Sequence, residues 1–262
     1  MILRRITEHV KAQNWFAVAI DFVIVVAGVF IGIQVANWNE ALAENARSRE
    51  VTERLIDDLK AERNRLLTQR RYYEEVRGAG EAALSALEAA DEGADTALLV
   101  NAYRATQEPT ENRRRATYDE LKSSGDLGLI RDRALRETAA SVFESQMYEV
   151  NAQVTNSPYR RLFRMSVPLA AQTAIAIACG DREDLLVLAY LVGARPVEGL
   201  LDYPCEPALD APAARSAAGI LRGAPQVAET LRLRIADLAT AQGRLSLALR
   251  DLDRRIDGEV LK

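Results

Sequence analysis

The chain has 262 residues, with 34 Lys and Arg against 38 Asp and Glu, a formal net charge of −4 and one histidine. So mild an acidity gives no reason to expect nucleic acid as a partner. The lone His9 sits near the N-terminus, which excludes a Ser-His-Asp or Cys-His arrangement in the rest of the chain, and a histidine-based zinc site with it.

Ala, Leu, Arg and Glu are abundant and aromatic residues make up 6%, so helix is favoured almost throughout and the expected fold is all-α. After an N-terminal tail (1–14), the run WFAVAIDFVIVVAGVFIGIQVA from Trp15 to Ala36 holds one ionisable residue, Asp21. About 20 apolar residues suffice for a helix to cross a hydrocarbon core, so 15–36 is read as a transmembrane helix. Trp15 and Trp38 stand at its two ends as membrane-boundary anchors. The tail carries Arg4, Arg5 and Lys11 against Glu8, which predicts an N-terminus in the cytoplasm and a periplasmic domain over 37–262. The chain is expected to cross its membrane once. Two rivals stand beside this reading. A secretory signal cleaved at Ala41-Leu42-Ala43 is one, although the apolar run exceeds a signal core. A buried core helix is the other, although little else in the chain could wrap so apolar a cylinder.

At about 100° per residue, Asp21, Val25, Gly28, Gly32 and Ala36 share one stripe of this helix. Gly28 and Gly32 form a G-x-x-x-G element, which lets two helix backbones approach closely. Asp21, Gly28, Gly32 and Ala36 are therefore candidates for a transmembrane interface, with a second copy or another membrane protein as partner. The bland account is that Gly pairs are common in membrane helices and that Asp21 snorkels to the interface.

Residues 40–77 lack Pro and Gly, and their apolar positions recur at three- and four-residue steps, which predicts one long helix continuing the span. Gly78 and Gly80 are expected to end it, with helices at 81–91 and 95–106 beyond. Thr117-Tyr118-Asp119-Glu120 has the form of a capping box, and Gly125 supplies a left-handed end to the helix it opens. Leu127, Leu129 and Ile130 should plug that turn into the core. Asp132 is expected to cap a helix over 132–156, and another should run from 159 to 178. Residues 183–193 suit a buried helix or a strand, helix being favoured, and Pro196–Pro212 is the longest irregular stretch. Leu231, Ile235, Leu238, Gln242, Leu245, Leu249, Leu252 and Ile256 then form a heptad seam. Packed antiparallel, 40–77 and 224–261 would make a stalk under a head formed by 81–222. A parallel self-associating coiled coil is the alternative, and Arg63 and Arg70 near the first seam speak for the intramolecular pair.

Cys179 and Cys205 are the only cysteines, each beside a chain break, and in an oxidising compartment they read as one disulfide, with two free thiols as the alternative. The runs Arg113-Arg114-Arg115 and Arg160-Arg161-Arg164 are read as solvated helix faces, with an anionic partner second. Asp57, Asp58 and Glu62 are taken as ordinary surface carboxylates. Lys122-Ser123-Ser124-Gly125 fits a helix end better than serine–lysine chemistry.

The closure Asn37-Trp38-Asn39-Glu40 and the segment TYDELKSSGDLGLIRDRALR (117–136) resemble a bacterial membrane-protein family without assigned activity. The resemblance covers about a quarter of the chain and implies topology, not mechanism. The expectation is an anchored helical scaffold or interaction protein with no catalysis and no cofactor. The alternative is an ion-driven energy-coupling component that uses Asp21.

Overall fold

The computed structural model describes residues 15–89, 92–109, 113–149, 157–182, 185 and 195–256, without the side chains of 15–18 and 92. Among the described residues there are eight α-helices and no strand, so the fold is all-α. They are α1 (Trp15–Ala89), α2 (Asp95–Arg104), α3 (Ala116–Ser124), α4 (Arg133–Glu144), α5 (Pro158–Ser166), α6 (Leu169–Cys179), α7 (Ala211–Gly223) and α8 (Pro225–Arg255). The ambiguous stretch 183–193, apart from Leu185, and the tail 1–14 lie outside the described residues.

The chain divides into two compact units, Met1–Thr52 and Glu53–Lys262. In the first, α1 is unbroken from Trp15 and its side chains from Ala19 to Glu44 are exposed. An 18-residue window in this helix has a mean hydropathy of 2.3 and is 0% buried, so the helix is long and apolar enough to cross a membrane. Ala41-Leu42-Ala43 lies within it.

In the second unit α1 is a central helix with several buried faces. Leu55, Leu59, Leu66, Tyr72, Tyr73, Val76 and Ala83 are buried, and so are Asp58, Glu62, Arg65, Thr68 and Gln69. The expected end at Gly78 and Gly80 is not there; the helix runs through both to Ala89, so 81–91 is no separate helix. Gly80 has a packing reason instead, because a Cβ there would meet Ile235 Cγ1 at 3.2 Å and Ala105 Cβ at 3.6 Å. It lets α8 approach α1 closely.

Helix α8 runs antiparallel to α1. Arg63 pairs with Asp253, Arg77 Nη1 donates to Gln242 Oε1 at 2.7 Å, and Arg232 pairs with Glu88 at 2.8 Å. The heptad seam is buried from Leu231 to Ile256, with only Ile235 partly open. The paired range, 63–88 on α1, lies further along the chain than 40–77, since α1 does not stop at the glycines.

The other helices differ from expectation at points with local causes. Thr117 does not cap α3: Arg115 is the N-cap, and the Thr117 N–H donates to Asp58 Oδ2 at 3.1 Å while Glu120 pairs with Arg54. A carboxylate from α1 thus replaces the capping box. Gly125 ends α3 at φ +78°, and the Asp132 side chain caps α4 through the Ala134 and Leu135 N–H groups, both as expected. Of the plug residues Ile130 is fully buried, while Leu127 and Leu129 are half-buried. Helix α4 stops at Glu144 rather than running to 156, because Ser145 turns extended and its side chain accepts the Met147 N–H. The expected helix over 159–178 is two, bent by 118° where Pro168 removes a backbone donor. Pro212 belongs to α7, so the irregular stretch covers 195–210.

Glu62 holds this unit in register. Its side chain is 0% exposed, Arg65 beside it 3% and Arg113 10%. Arg65 donates twice to it at 2.9 Å, and Arg113 Nε donates at 3.0 Å. Arg65 continues to the Tyr148 carbonyl and Arg113 to that of Val142. Tyr148 in turn donates its phenol to Asp251 on α8 at 2.8 Å. Burial first, and then that carboxylate, push the Tyr148 phenol well above its ordinary range. For Asp251 burial acts upward, but hydrogen bonds from Arg255 and Tyr148 and the charges of Arg255 and Arg254 outweigh it and leave the carboxyl below its ordinary value.

Glu62→Ala removes the buried counter-charge that Arg65 and Arg113 share and should destabilise the protein by about 3–5 kcal/mol in denaturant titrations. Glu137→Ala, at an exposed pair with Arg133, should leave the transition where it is. The Tyr148–Asp251 pair also sets a pH window. The raised phenol contributes fully below about pH 10 and loses its contribution as pH rises through its folded value; the depressed carboxyl contributes above about pH 4 and loses its contribution as pH falls. Stability measured against pH should therefore fall at both ends, and Tyr148→Phe should make the alkaline limb shallower.

Candidate functional site

The four candidate interface residues Asp21, Gly28, Gly32 and Ala36 occur on α1 at the seven- and four-residue spacings that keep them on one helix face. All are exposed, and a Cβ built at Gly28 or Gly32 meets nothing within 4 Å. The stripe is therefore a shallow, open strip between larger exposed side chains such as Phe22, Val29 and Phe30. No hydrogen-bond partner for Asp21 occurs among the described residues. Trp38 is exposed beyond the far end of the apolar run, and the Trp15 side chain lies outside the described set. Chemically the strip offers close backbone approach and a carboxylate.

The cysteines are brought together. Cys179, the last residue of α6, is buried, and Cys205 is half-buried in the 195–210 segment; their sulfurs are bonded at 2.17 Å with Cα atoms 5.4 Å apart. Arg104 of α2 organises the join. Its Nε donates to the Cys179 carbonyl at 3.2 Å, and Nη2 donates to the Tyr203 carbonyl at 2.8 Å and to Cys205 Sγ at 3.3 Å. Its guanidinium carbon also lies 4.8 Å from the centre of the Tyr203 ring. The Tyr203 hydroxyl donates to the Gly180 carbonyl at 2.6 Å.

The same segment is bolted to α1. Glu75 accepts the N–H groups of Gly199, Leu201 and Asp202 at 2.7, 2.7 and 3.0 Å, and Thr68 Oγ1 accepts that of Val197; beside it, just after α6, Asp181 accepts from the Tyr72 hydroxyl. Gly199 meets this geometry with φ +68°. Sequence reading missed Glu62, Glu75, Arg104 and the fully buried Arg234. For Glu62 a signal was available in the spacing: residues 58, 62, 65, 69 and 72 repeat at three and four steps as a core face does, although most of them are polar.

The arginine runs also differ from a solvated face. Arg113 is an internal tie to Glu62, Arg114 lies 3.7 Å from Asp58, and Arg115 pairs with Asp119. Arg160 pairs with Glu108, while Arg161 and Arg164 of the same run are exposed. Lys122 pairs with Glu144, and Ser123 and Ser124 donate to the carbonyls of Glu120 and Leu121, so this segment is a helix end. The Tyr118 phenol, pushed up to about 12 by burial and by its bond to Glu144, belongs to the same contact.

Among the described residues of the second unit, depressions open at several places. One of about 390 Å³ is lined by Glu74, Glu75, Asn101, Arg104 and Asp202; another of about 390 Å³ lies among Arg54, Asp57, Asp58 and Arg113–Arg115. A third, about 770 Å³, lies at the α5–α6 elbow. Around the first, Glu75 and Arg104 hold backbone groups of the 179–205 stretch; around the second, Asp58 meets Arg114 and the Thr117 N–H while Arg113 turns to Glu62. Among the described residues no group of three or more His, Cys, Asp or Glu is placed to hold a metal ion.

The disulfide closes a separation of 26 residues, for which chain entropy gives a stabilisation of about 3–4 kcal/mol. Cys179→Ser/Cys205→Ser should lower the denaturation midpoint accordingly, and mass spectrometry of unreduced protein should find neither free thiol. Full alkylation of both without reductant would contradict the bond.

Compared with known proteins, the chain has no match: no family model, no curated protein and no solved structure is significantly similar to it.

Proposed function

We propose that the protein is a single-pass membrane anchor carrying a helical binding scaffold, with its N-terminus in the bacterial cytoplasm and residues 37–262 on the outer side of the inner membrane. The carrying observation is the apolar stretch of α1, which is 0% buried by the rest of the chain although its mean hydropathy reaches 2.3. In water such a surface would be an aggregation site, whereas in a bilayer it is solvated. The basic tail supports the orientation. A disulfide in the second unit supports an oxidising compartment. The family resemblance at 37–40 and 117–136 belongs to the same proposal. The reading assigns no catalysis: Glu75, Arg104, Asp58 and Arg113, which line or border the described depressions, are engaged in ties between elements. The Gly28–Gly32 strip is the association face, taken by a second copy or by another membrane protein.

One observation favours a second reading, ion coupling: Asp21 shares the strip with the glycines and is exposed. Sensitivity to an uncoupler and co-purification with a multi-span protein would select that reading.

The protein should stay in carbonate-washed membranes, and a periplasm-active reporter fused after Lys262 should work. A signal only from a cytoplasmic reporter reverses the orientation, and a mature form starting near Glu44 replaces the anchor by a cleaved signal. In a two-helix membrane reporter, Gly28→Ile with Gly32→Ile should weaken association while Val23→Ile with Val26→Ile does not; equal signals remove the strip as an interface.

A further inference from the structure

We propose that the outer face of the α5–α6 elbow docks on an anionic phospholipid surface. The inner faces of these two helices are fully committed to the core through Tyr159, Phe163, Ala171, Ile175 and Cys179. Their outer faces carry large apolar side chains that touch little: Met165 is 78% exposed, Leu169 77% and Ile177 83%. These are among the most exposed hydrophobic side chains of the second unit, and the open groove of about 770 Å³ joins Met165 and Leu169 to Arg164. Large apolar side chains left exposed to this extent mark an interaction surface.

Charge selects the occupant. Residues 157–180 contain Arg160, Arg161 and Arg164 and no acid, in a chain whose net charge is −4. Arg160 is held by Glu108 and the Thr106 carbonyl. Arg161 and Arg164 are exposed on the same face of α5 as Met165. Protruding apolar side chains beside free guanidinium groups are the arrangement of an interfacial membrane contact: the apolar groups enter the acyl boundary while the arginines meet phosphates. The two helices taken together are also apolar enough to pass for a broken membrane segment, bent at 118°. Side chains exposed to this extent need no matching pocket in a fluid leaflet, whereas a folded protein partner must supply one for each.

This contact does not use the α1 span, so it is testable apart from the anchor. The full chain, placed in phosphatidylcholine nanodiscs, is mixed with liposomes containing or lacking phosphatidylglycerol, and capture is read by flotation. Entry into the disc is read separately by co-elution; a chain that fails to enter, which counts against the anchor alone, is floated by itself. The wild type should float with the phosphatidylglycerol liposomes. Arg161→Glu with Arg164→Glu should reduce that capture about tenfold or more. Met165→Glu with Leu169→Glu and Ile177→Glu should abolish it while the thermal transition is retained. Should the triple variant not fold, Ile177→Glu alone, at the most exposed of the three positions, takes its place and should reduce capture. The proposal is overturned if the wild type is not captured, if both liposomes capture it equally, or if the apolar variant floats like the wild type. Self-association without liposomes, lost in the same variant, gives the face to a second copy and overturns the lipid assignment.

Discussion

Glu62 is a carboxylate without exposed surface, midway along the buried part of α1, and the second unit is arranged around the need to meet it. A charge in that position is tolerable only with opposite charge and hydrogen bonds on its free oxygens. Arg65 supplies the first from one turn further along the helix. Arg113 supplies the second from a distant segment and thereby fixes where residues 113–115 cross α1. Because Arg113 also reaches the Val142 carbonyl, the end of α4 is placed by the same side chain. Buried ion pairs add little over a well-packed apolar substitute, but a helix one turn out of register would leave a charge unmet. Glu62 therefore selects one arrangement among many that are equally greasy.

The short helices around α1 share a second device. Isolated helices below about 12–15 residues are marginal in water, and α2, α3, α5 and α6 are all shorter. Several chain segments end on carbonyls that meet arginine side chains: Arg234 donates to Ala105 and Gln107, Arg104 to Cys179 and Tyr203, Arg160 to Thr106, and Arg136 to Ile130. Guanidinium groups suit this work, since they offer several donors to groups that carry the negative end of a helix. Burial lowers the Arg234 guanidinium from its ordinary value, with the Glu108 charge acting the other way.

What the residues disclosed directly was periodicity and punctuation. The apolar run, the seam from Leu231 to Ile256, Gly125, Asp132 and the cysteine pair are all local or spacing signals, and each has the expected structure. The failures were positions where a distant group overrides a local rule. Gly80 looks like a helix end until Ile235 and Ala105 are placed against it. Thr117 looks like a cap until Asp58 is placed beside its N–H. Glu62 and Arg113 look like surface charges, because nothing in their own segments shows that they meet. Pro168 carries its own signal for a break, which the apolar residues continuing on both sides obscure. At the candidate interface, the spacing of Asp21, Gly28, Gly32 and Ala36 was legible; Arg104 and Glu75 were not, since their partners are backbone atoms of an irregular segment.

That segment, 195–210, has no repeating structure, yet Glu75 holds three of its amides, Thr68 a fourth, and Arg104 and the disulfide hold its far part. Irregular stretches normally open on their own, at little free energy, and exchange their amide protons early. Here opening would strip a carboxylate on the central helix of its donors and pull at a covalent cross-link. The amides of Gly199, Leu201 and Asp202 are thus coupled to the unfolding of α1 itself, and a stretch without regular structure belongs to the same cooperative unit as the core.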